Sequence, residues 1–503
     1  MDFFCMGLCL LSFFWITIQA FNSLAKRSKS NPNSTRPVLP PGPKPFPIIG
    51  NLLELGNKPH LSLTKLSQIY GPVITLQLGQ VTTVVVSSST AAKEVLRTHD
   101  QFLCNRTVPS AVRACDMGEH SLPWIPASAK WRSLRKIFNS QLFAVKVLDA
   151  SKAIRHKKVQ ELIADVNASK VKGNAIEIGR AAFSTTLNLL SRTMFSMDLA
   201  DPKSETTKEF KETVWGLMEE AGKPNLGDYF PVLGKLDPQG IQRRMTNHFL
   251  KMEQLFDQII AQRLESRKAH DYITRDDMLD ALLSISEVNC EEMDKNKMEH
   301  LFLITNGNNV HGKLQSTTDI YRDRCGVCPH GGLLSHTMFS MDLADPRSET
   351  AKEFKDIVLE EFIMTNGIQT TPISICVWLF ITMTHIQLQL YWNGQSLSYY
   401  ATQKKLSKVQ EELDQVIGKG KPVEQSDIVG LPYLQAIIKE TFRLHPAMQL
   451  LLPRKAEEDI EICGYIVPKG AQVFVNAWAI GRDPSIWDSP NSFELERFLG
   501  VGN

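Results

Sequence analysis

Two residues of opposite charge lie three positions apart near the carboxyl end of the chain, in the segment LPYLQAIIKETFRLHP. Residues i and i+3 share one face of a helix, so Glu440 and Arg443 can form an ion pair. The helix is otherwise apolar, and a buried pair of this kind requires a further polar partner. Arg497, which follows the segment WAIGRDP, is the natural third member. Alone, the Glu-x-x-Arg spacing says little about function, because it arises by chance in many proteins.

The cysteines are a second set of residues with potential chemistry. Nine are scattered along the chain, and only Cys325 and Cys328 form a Cys-x-x-Cys pair. This pattern predicts reduced thiols that face the cytosol rather than a disulfide framework. His311 and His330 lie near the pair and raise a zinc or interaction module as an alternative, but a structural zinc site requires a second close pair of ligands. We therefore predict no metal site built from these residues.

The elements that position these residues are mainly helices. Most segments after Ala127 have helical periodicity, whereas β-rich segments surround Gly79 and return late in IEICGYIVPKGAQVFVN. The chain has 503 residues, of which 43% are hydrophobic, enough for a large core. Its 56 basic and 54 acidic residues leave a net charge of +2, so we predict no nucleic-acid partner. The fold class is mainly α with small β-sheets.

The amino-terminal residues predict a membrane anchor. Phe3 to Phe21 carry no charge, and a helix of about 20 such residues crosses the hydrocarbon of a bilayer. Basic residues follow directly, which predicts that the rest of the chain faces the cytosol. We assign residues 1–24 to a retained transmembrane helix, with a cleaved signal peptide as the alternative. Residues 25–50 are basic and rich in proline, and they predict a stiff hinge.

One long segment repeats. SRTMFSMDLADPKSETTKEFKETV (residues 191–214) recurs as SHTMFSMDLADPRSETAKEFKDIV (residues 335–358), and 19 of 24 positions match. Two copies with unlike flanks do not make a solenoid, which shows several copies at a short period. We interpret the second copy as an accidental duplication or as joined exons, within an aberrant segment at residues 304–403.

The order of motifs in the last part of the chain is more specific than any single motif. Glu-x-x-Arg is followed by LHP, LPR, GYIVPKG, NAWAIGRDP and FELERF. Together with PPGPKPFPIIGNL and WRSLRKIF, this order resembles the cytochrome P-450 family of haem-thiolate monooxygenases. Segments such as FSMDLADP and GDYFPVL resemble the plant group that contains geraniol 8-hydroxylases. The resemblance implies the cytochrome P-450 fold over residues 51–303 and 404–503.

The resemblance also implies roles for particular residues. Those expected to bind the haem are Trp131, Arg135 and Arg454. Those expected to form a structural triad are Glu440, Arg443 and Arg497. Those expected to face substrate, together with a loop at residues 102–120, form the loop that ends at Leu452 and are Ala447, Met448, Gln449, Leu450 and Leu451. The alternative for Trp131 and Arg135, less favoured in this context, is an ordinary helix with one core aromatic residue and one surface cation.

Two elements of the family are not recognisable in this sequence. The first is the cysteine whose thiolate binds the haem iron, and we expect the loop that carries it to lie beyond Asn503. We expect Cys463 to be a small core residue in a strand. The second is the central helix of the family, and residues 387–404 occupy its expected position. If the codons of these residues are read one base out of frame, they allow the sequence TTSTILEWAIAELLRNPK, which fits that helix. We therefore predict a frameshift in this segment and, as a result, an incomplete core.

These observations lead to one function and one alternative. The resemblance implies a haem-dependent monooxygenase that hydroxylates a small lipophilic substrate such as a monoterpenoid alcohol. Its expected partners are an NADPH-cytochrome reductase and the lipid of the endoplasmic reticulum membrane, with the body facing the cytosol. The alternative is a catalytically inactive, truncated or mispredicted fragment that lacks the axial cysteine.

Overall fold

The computed structural model describes most of the predicted body of the protein. The described residues are 17, 39–113, 117–142, 145–172, 178–199, 205–275, 277–288, 293–295, 297–302, 396–418, 425–446 and 448–499. The predicted anchor, except residue 17, and most of the predicted aberrant segment lie outside them. None of the helices in the described ranges is long and apolar enough to cross a membrane.

The strands form a mixed four-stranded sheet and an antiparallel two-stranded sheet. The larger has the order β1 (Val73–Leu78), β2 (Val81–Val86), β6 (Gln472–Val475) and β3 (Arg454–Lys455), and the smaller pairs β4 (Ile460–Ile462) with β5 (Tyr465–Val467). Strands β1 and β2 form a hairpin, and β2 runs parallel to β6, a strand almost 400 positions later. The larger sheet therefore joins the two ends of the described chain.

Helices make up the rest of the described body. Those of eleven or more residues are α1 (Pro59–Tyr70), α2 (Ala129–Leu142), α3 (Lys152–Val171), α4 (Ile178–Phe195), α5 (Glu205–Gly222), α6 (Ile241–Arg267), α7 (Met278–Val288), α8 (Ser396–Val416) and α9 (Pro432–Leu444). The short ones are Leu52–Leu55, Ser89–Lys93, Asp100–Leu103, Ser110–Arg113, Met117–His120, Val145–Ala150, Leu226–Tyr229, Pro231–Gly234 and Ala477–Ile480. A π turn at Glu94–Thr98 and 3₁₀ turns at Gln425–Gly430 and Leu495–Arg497 complete the set. The prediction of a mainly α protein with small sheets is confirmed.

The main hydrophobic core lies among the helices. It combines apolar residues of α2, α4, α5, α6 and α7, and three phenylalanines pack at its centre. The ring centroids of Phe195 and Phe302 are 4.8 Å apart, and those of Phe256 and Phe302 are 5.6 Å apart, both edge to face. Aromatic rings prefer this geometry because the positive edge of one ring meets the negative face of the other.

The carboxyl-terminal half of the predicted hinge lies against the larger sheet. Thr75 N donates to Pro41 O, and a Cβ atom added at Gly42 would come within 2.0 Å of Thr75 O. At Gly50, where φ is +62°, an added Cβ would come within 1.9 Å of Gln77 O. Only glycine permits this approach of two backbones, so residues 39–50 follow β1 closely.

Cys463 does not lie in a strand core as we expected. It occupies the two-residue turn between β4 and β5, with φ +48°, and its side chain is exposed. Gly464, the second turn residue, has φ +80°. Two successive positive φ angles are typical of the tight turns that suit the twist of a hairpin. The alternating apolar residues on either side of Cys463 therefore belong to two strands rather than one.

Candidate functional site

The Glu440–Arg443 pair is fully buried on α9. The side chains are 0% and 1% exposed, and Arg443 Nε and Nη2 donate to the two carboxylate oxygens at 2.7 Å each. The remaining N–H groups of Arg443 donate to the carbonyls of three later residues, Gly481, Pro490 and Ser492. All five donors of the guanidinium are thus used, which offsets the cost of its removal from water.

Arg497 lies beside the same carboxylate. Its Nε is 3.4 Å from Glu440 Oε1, and its Nη2 donates to Ser489 O. Glu440 Oε1 also accepts from the backbone N–H of Glu494. The structure therefore brings the three predicted triad residues together. Their contacts are with each other and with backbone, which is what a structural role requires.

Two arginines meet at the start of β3. Arg106 and Arg454 pair through a single backbone bridge, and their guanidinium groups donate to Leu452 O and Leu103 O. Burial lowers the pKa of Arg106 to about 10. Burial, with the charge of Arg106 as a further cause, lowers the pKa of Arg454 well below its ordinary value. Two desolvated cations so close together favour an anionic partner.

Arg106 is a residue that the sequence analysis did not single out, although it lies in the predicted substrate loop. Its position is set by the preceding residue. Asn105 Nδ2 donates to Glu457 Oε1 at 3.0 Å, and Asn105 Oδ1 accepts from Ala127 N at 2.9 Å. Lys455 N donates to Asn105 O. These three bonds tie the loop both to β3 and to the segment that leads into α2, and no local spacing in the sequence indicates them.

Trp131 and Arg135 form one unit on α2. Trp131 packs partly against the main core, and its indole N–H donates to Leu122 O at 3.1 Å. The Arg135 guanidinium lies 4.8 Å from the centroid of the Trp131 ring, a cation–π distance. Burial lowers the pKa of Arg135. Arg135 is therefore a half-buried cation stacked on an aromatic ring, rather than a freely solvated one.

The two loops expected to face substrate meet in one apolar cluster. Val112 from the first loop and Trp124, which follows that loop, are buried against Met448 and Leu452 from the second loop, with Val108 and Leu451 at the edge. We call these six residues the loop cluster. Trp124 is a member that our residue assignments did not include.

Two other predicted substrate-facing residues, Gln449 and Leu450, have contacts outside the loop cluster. Leu450 packs on a separate cluster with Leu55 and Phe474. Gln449 accepts a hydrogen bond from Trp478 N through its backbone carbonyl. The assignment of these residues to the substrate side stays a prediction. Ala447 lies outside the described residues.

Comparison with known proteins identifies the class of protein that this fold and these residues define. The model of the Cytochrome P450 family matches residues 40–307 and 400–502. A geraniol 8-hydroxylase of Swertia mussotii is 42% identical over 500 residues, covering 99% of this chain and 84% of that protein. A geraniol 8-hydroxylase of Catharanthus roseus is 41% identical with the same coverage. The chain belongs to the cytochrome P450 family, in the plant group that resembles geraniol 8-hydroxylases.

A solved structure supports the fold. A zebra fish cytochrome P450, described with progesterone, superposes with a TM-score of 0.58 at 22% identity, over 88% of this chain and 83% of its own. Family membership implies a haem cofactor, an oxidoreductase activity of the monooxygenase type, a reductase as electron donor and a lipophilic substrate. The predicted aberrant segment and its frameshift stay predictions.

The described residues fit one part of the haem and not another. The buried guanidinium groups of Arg106 and Arg454 suit the anionic propionates. The two described cysteines are Cys104, which is half-buried, and Cys463, which lies in the exposed turn between β4 and β5. The haem iron requires a cysteine thiolate as its ligand, and no sequence motif of the family assigns that role to either of them. The described residues also contain no cluster of side chains suited to a metal ion.

We expect the substitution Glu440→Ala to destabilise the protein strongly, because it leaves the buried Arg443 charge without its carboxylate. The cost of breaking such a pair is about 3–5 kcal/mol in the free energy of unfolding. Denaturant unfolding followed by circular dichroism measures it. The control is Glu496→Ala, which removes an exposed carboxylate close by. An equal effect of both variants would contradict the assigned importance of the buried pair.

Proposed function

We propose that the protein hydroxylates a small terpenoid alcohol such as a monoterpenol. The identity of 42% to a geraniol 8-hydroxylase over 99% of the chain is the observation that carries this proposal. The loop cluster supports it, since its six apolar or aromatic side chains would suit contact with a hydrocarbon skeleton.

The chemistry comes from the cofactor and the binding from the protein. When bound, the haem supplies the activation of molecular oxygen. One oxygen atom enters a C–H bond of the substrate and the other leaves as water, which consumes two electrons and two protons. The reductase delivers the electrons from NADPH. The apolar loop cluster holds the carbon skeleton, so substrate orientation decides which C–H bond reacts.

Three arginines would hold the haem propionates. Arg106 and Arg454 supply two buried cations from the loop and from β3, and Arg135 supplies a third that is stacked on Trp131. Charge-assisted hydrogen bonds from arginine to carboxylates are about twice as strong as neutral ones. A propionate would also offset the desolvation that lowers the pKa of these arginines.

The alternative of an inactive fragment is less well supported. The likeness to active-named relatives extends over nearly the whole chain, and the buried charge pair of α9 is fully hydrogen-bonded. The cysteine ligand of the iron is not among the described residues, so the two proposals differ in one measurable property, the axial ligand.

Carbon-monoxide difference spectroscopy of the reduced full-length protein distinguishes them. We expect the red-shifted Soret band that only a thiolate-ligated haem gives. We also expect a hydroxylated product from geraniol, oxygen, NADPH and the reductase, detected by gas chromatography and mass spectrometry. Haem without the shifted band, together with no product, would favour the inactive fragment.

We expect Arg106→Ala to weaken haem retention about tenfold, because a hydrogen bond to a charged group contributes roughly 1.5–3 kcal/mol. The measurement is the ratio of haem to protein after gel filtration at increasing dilution. Arg132→Ala, which removes an exposed arginine of α2, is the control and should retain haem like the unsubstituted protein. Equal retention by both variants would contradict the propionate role.

We also propose that residues 1–24 anchor the protein in the endoplasmic reticulum membrane with its body in the cytosol. The uncharged run from Phe3 to Phe21 supports this. So do Leu39, Phe46 and Leu53, which follow it in the chain and are 50%, 54% and 70% exposed. Apolar side chains near a membrane surface gain from contact with lipid.

Deletion of residues 1–24 is expected to release the protein from microsomes on washing with alkaline carbonate, whereas the full chain stays in the pellet. Added protease should digest the body in intact microsomes, because the body faces outward. Release of the full chain by carbonate would contradict the anchor, and protection of the body from protease would contradict the orientation.

A further inference from the structure

One hydrogen bond joins two helical turns that are distant in the sequence, Leu226–Tyr229 and the turn that contributes Val112 to the loop cluster. Asp228 Oδ1 accepts from the backbone N–H of Ser110 at 2.6 Å, across 118 positions of sequence. Ser110 is 3% exposed and begins the helical turn Ser110–Arg113. A carboxylate that accepts from a buried amide forms a charge-assisted bond, which is stronger than a neutral one.

The turn Ser110–Arg113 connects the main core with the loop cluster. Ala111 is buried among the helices of the main core, and Val112, the next residue, is buried in the loop cluster. A shift of Ser110 therefore moves Val112 relative to Met448 and Leu452. The position of this short turn sets the shape of one side of the apolar surface.

The segment that carries Asp228 is itself firmly attached. Asn225 Oδ1 accepts from Gly227 N at 2.9 Å, and Gln80 N donates to Tyr229 O at 2.9 Å. Gly227 lies so close to the turn that an added Cβ would be 3.0 Å from Ser110 Oγ. Asp228 thus lies in a turn that is capped by Asn225 and hydrogen-bonded to the hairpin of β1 and β2.

We propose that Asp228 is a positioning residue that holds the turn Ser110–Arg113 and thereby determines how the loop cluster receives its substrate. The assignment of the loop cluster to substrate rests on the proposed function. Asp228 touches no reacting atom; it acts through the backbone of Ser110 and the side chain of Val112.

Three variants of the full-length chain test this inference. Asp228→Ala removes the acceptor, and Asp228→Asn keeps a neutral oxygen in the same place. Gln239→Ala is the matched control, because Gln239 holds the same segment through Leu226 N and Pro224 O and has no hydrogen bond to the turn. Gln239 is exposed, and its loss loosens the segment from the other side.

Amide hydrogen exchange of the peptide that spans Ser110–Arg113 reports on the tether without any need for turnover. We expect Asp228→Ala to accelerate exchange there about tenfold, in line with the loss of one charge-assisted hydrogen bond. Asp228→Asn should restore most of the protection, and Gln239→Ala should leave this peptide unchanged. Equal exchange in Asp228→Ala and the unsubstituted protein would overturn the inference.

Kinetics with geraniol separates positioning from a purely structural role. We expect Asp228→Ala to raise KM about fivefold with kcat nearly unchanged, because the lost contacts bind substrate and transition state alike. The ratio of hydroxylated products should also change, and Asp228→Asn should recover both values. Faster exchange with an unaltered KM and product ratio would refute the role in substrate binding. If the unsubstituted protein converts no terpenoid alcohol, the proposed function and the substrate part of this inference are both wrong. The hydrogen-exchange measurement still tests whether Asp228 holds the turn Ser110–Arg113.

Discussion

The buried ion pair between Glu440 and Arg443 is the interaction on which the carboxyl-terminal part of the structure depends. An arginine removed from water is tolerated only when its charge and all its donors find partners. Here one carboxylate takes two donors, and carbonyls from Gly481 to Ser492 take the rest. The same guanidinium therefore satisfies its own charge and fixes the irregular segment that follows β6 against α9. The guanidinium thus adds three contacts with α9 to the turns that the segment forms by itself.

A second electrostatic constraint shapes the candidate site, and it has the opposite character. Arg106 and Arg454 lie close together, and burial lowers the pKa of each. The ion pair of α9 has its counter-charge within the chain. The two arginines, in contrast, are stabilised most when an anionic group binds beside them. The Glu440–Arg443 pair thus stabilises the fold, whereas Arg106 and Arg454 are placed to bind an anionic ligand. Charged groups with strongly shifted pKa values are common at functional sites.

The sequence predicted the fold class and the triad partners because both depend on short-range spacing or on a specific order of motifs. It failed at Cys463, where a strand with alternating apolar residues is in fact a hairpin with a two-residue turn. The alternation of apolar residues was visible there, but the side of the backbone that each residue faces depends on neighbours far away in the chain.

Spacing and motif order in the sequence alone determined the family, the helical body, the Glu440–Arg443 pair and the residues of α2. Only the tertiary structure decided that Arg106 joins Arg454, that Trp124 completes the loop cluster, and that Asp228 holds Ser110. The physical reason is one of range. Helical and strand periods are set by residues a few positions apart, whereas these contacts join segments separated by more than a hundred positions or lie in loops without a period, and only folding brings them within hydrogen-bond distance.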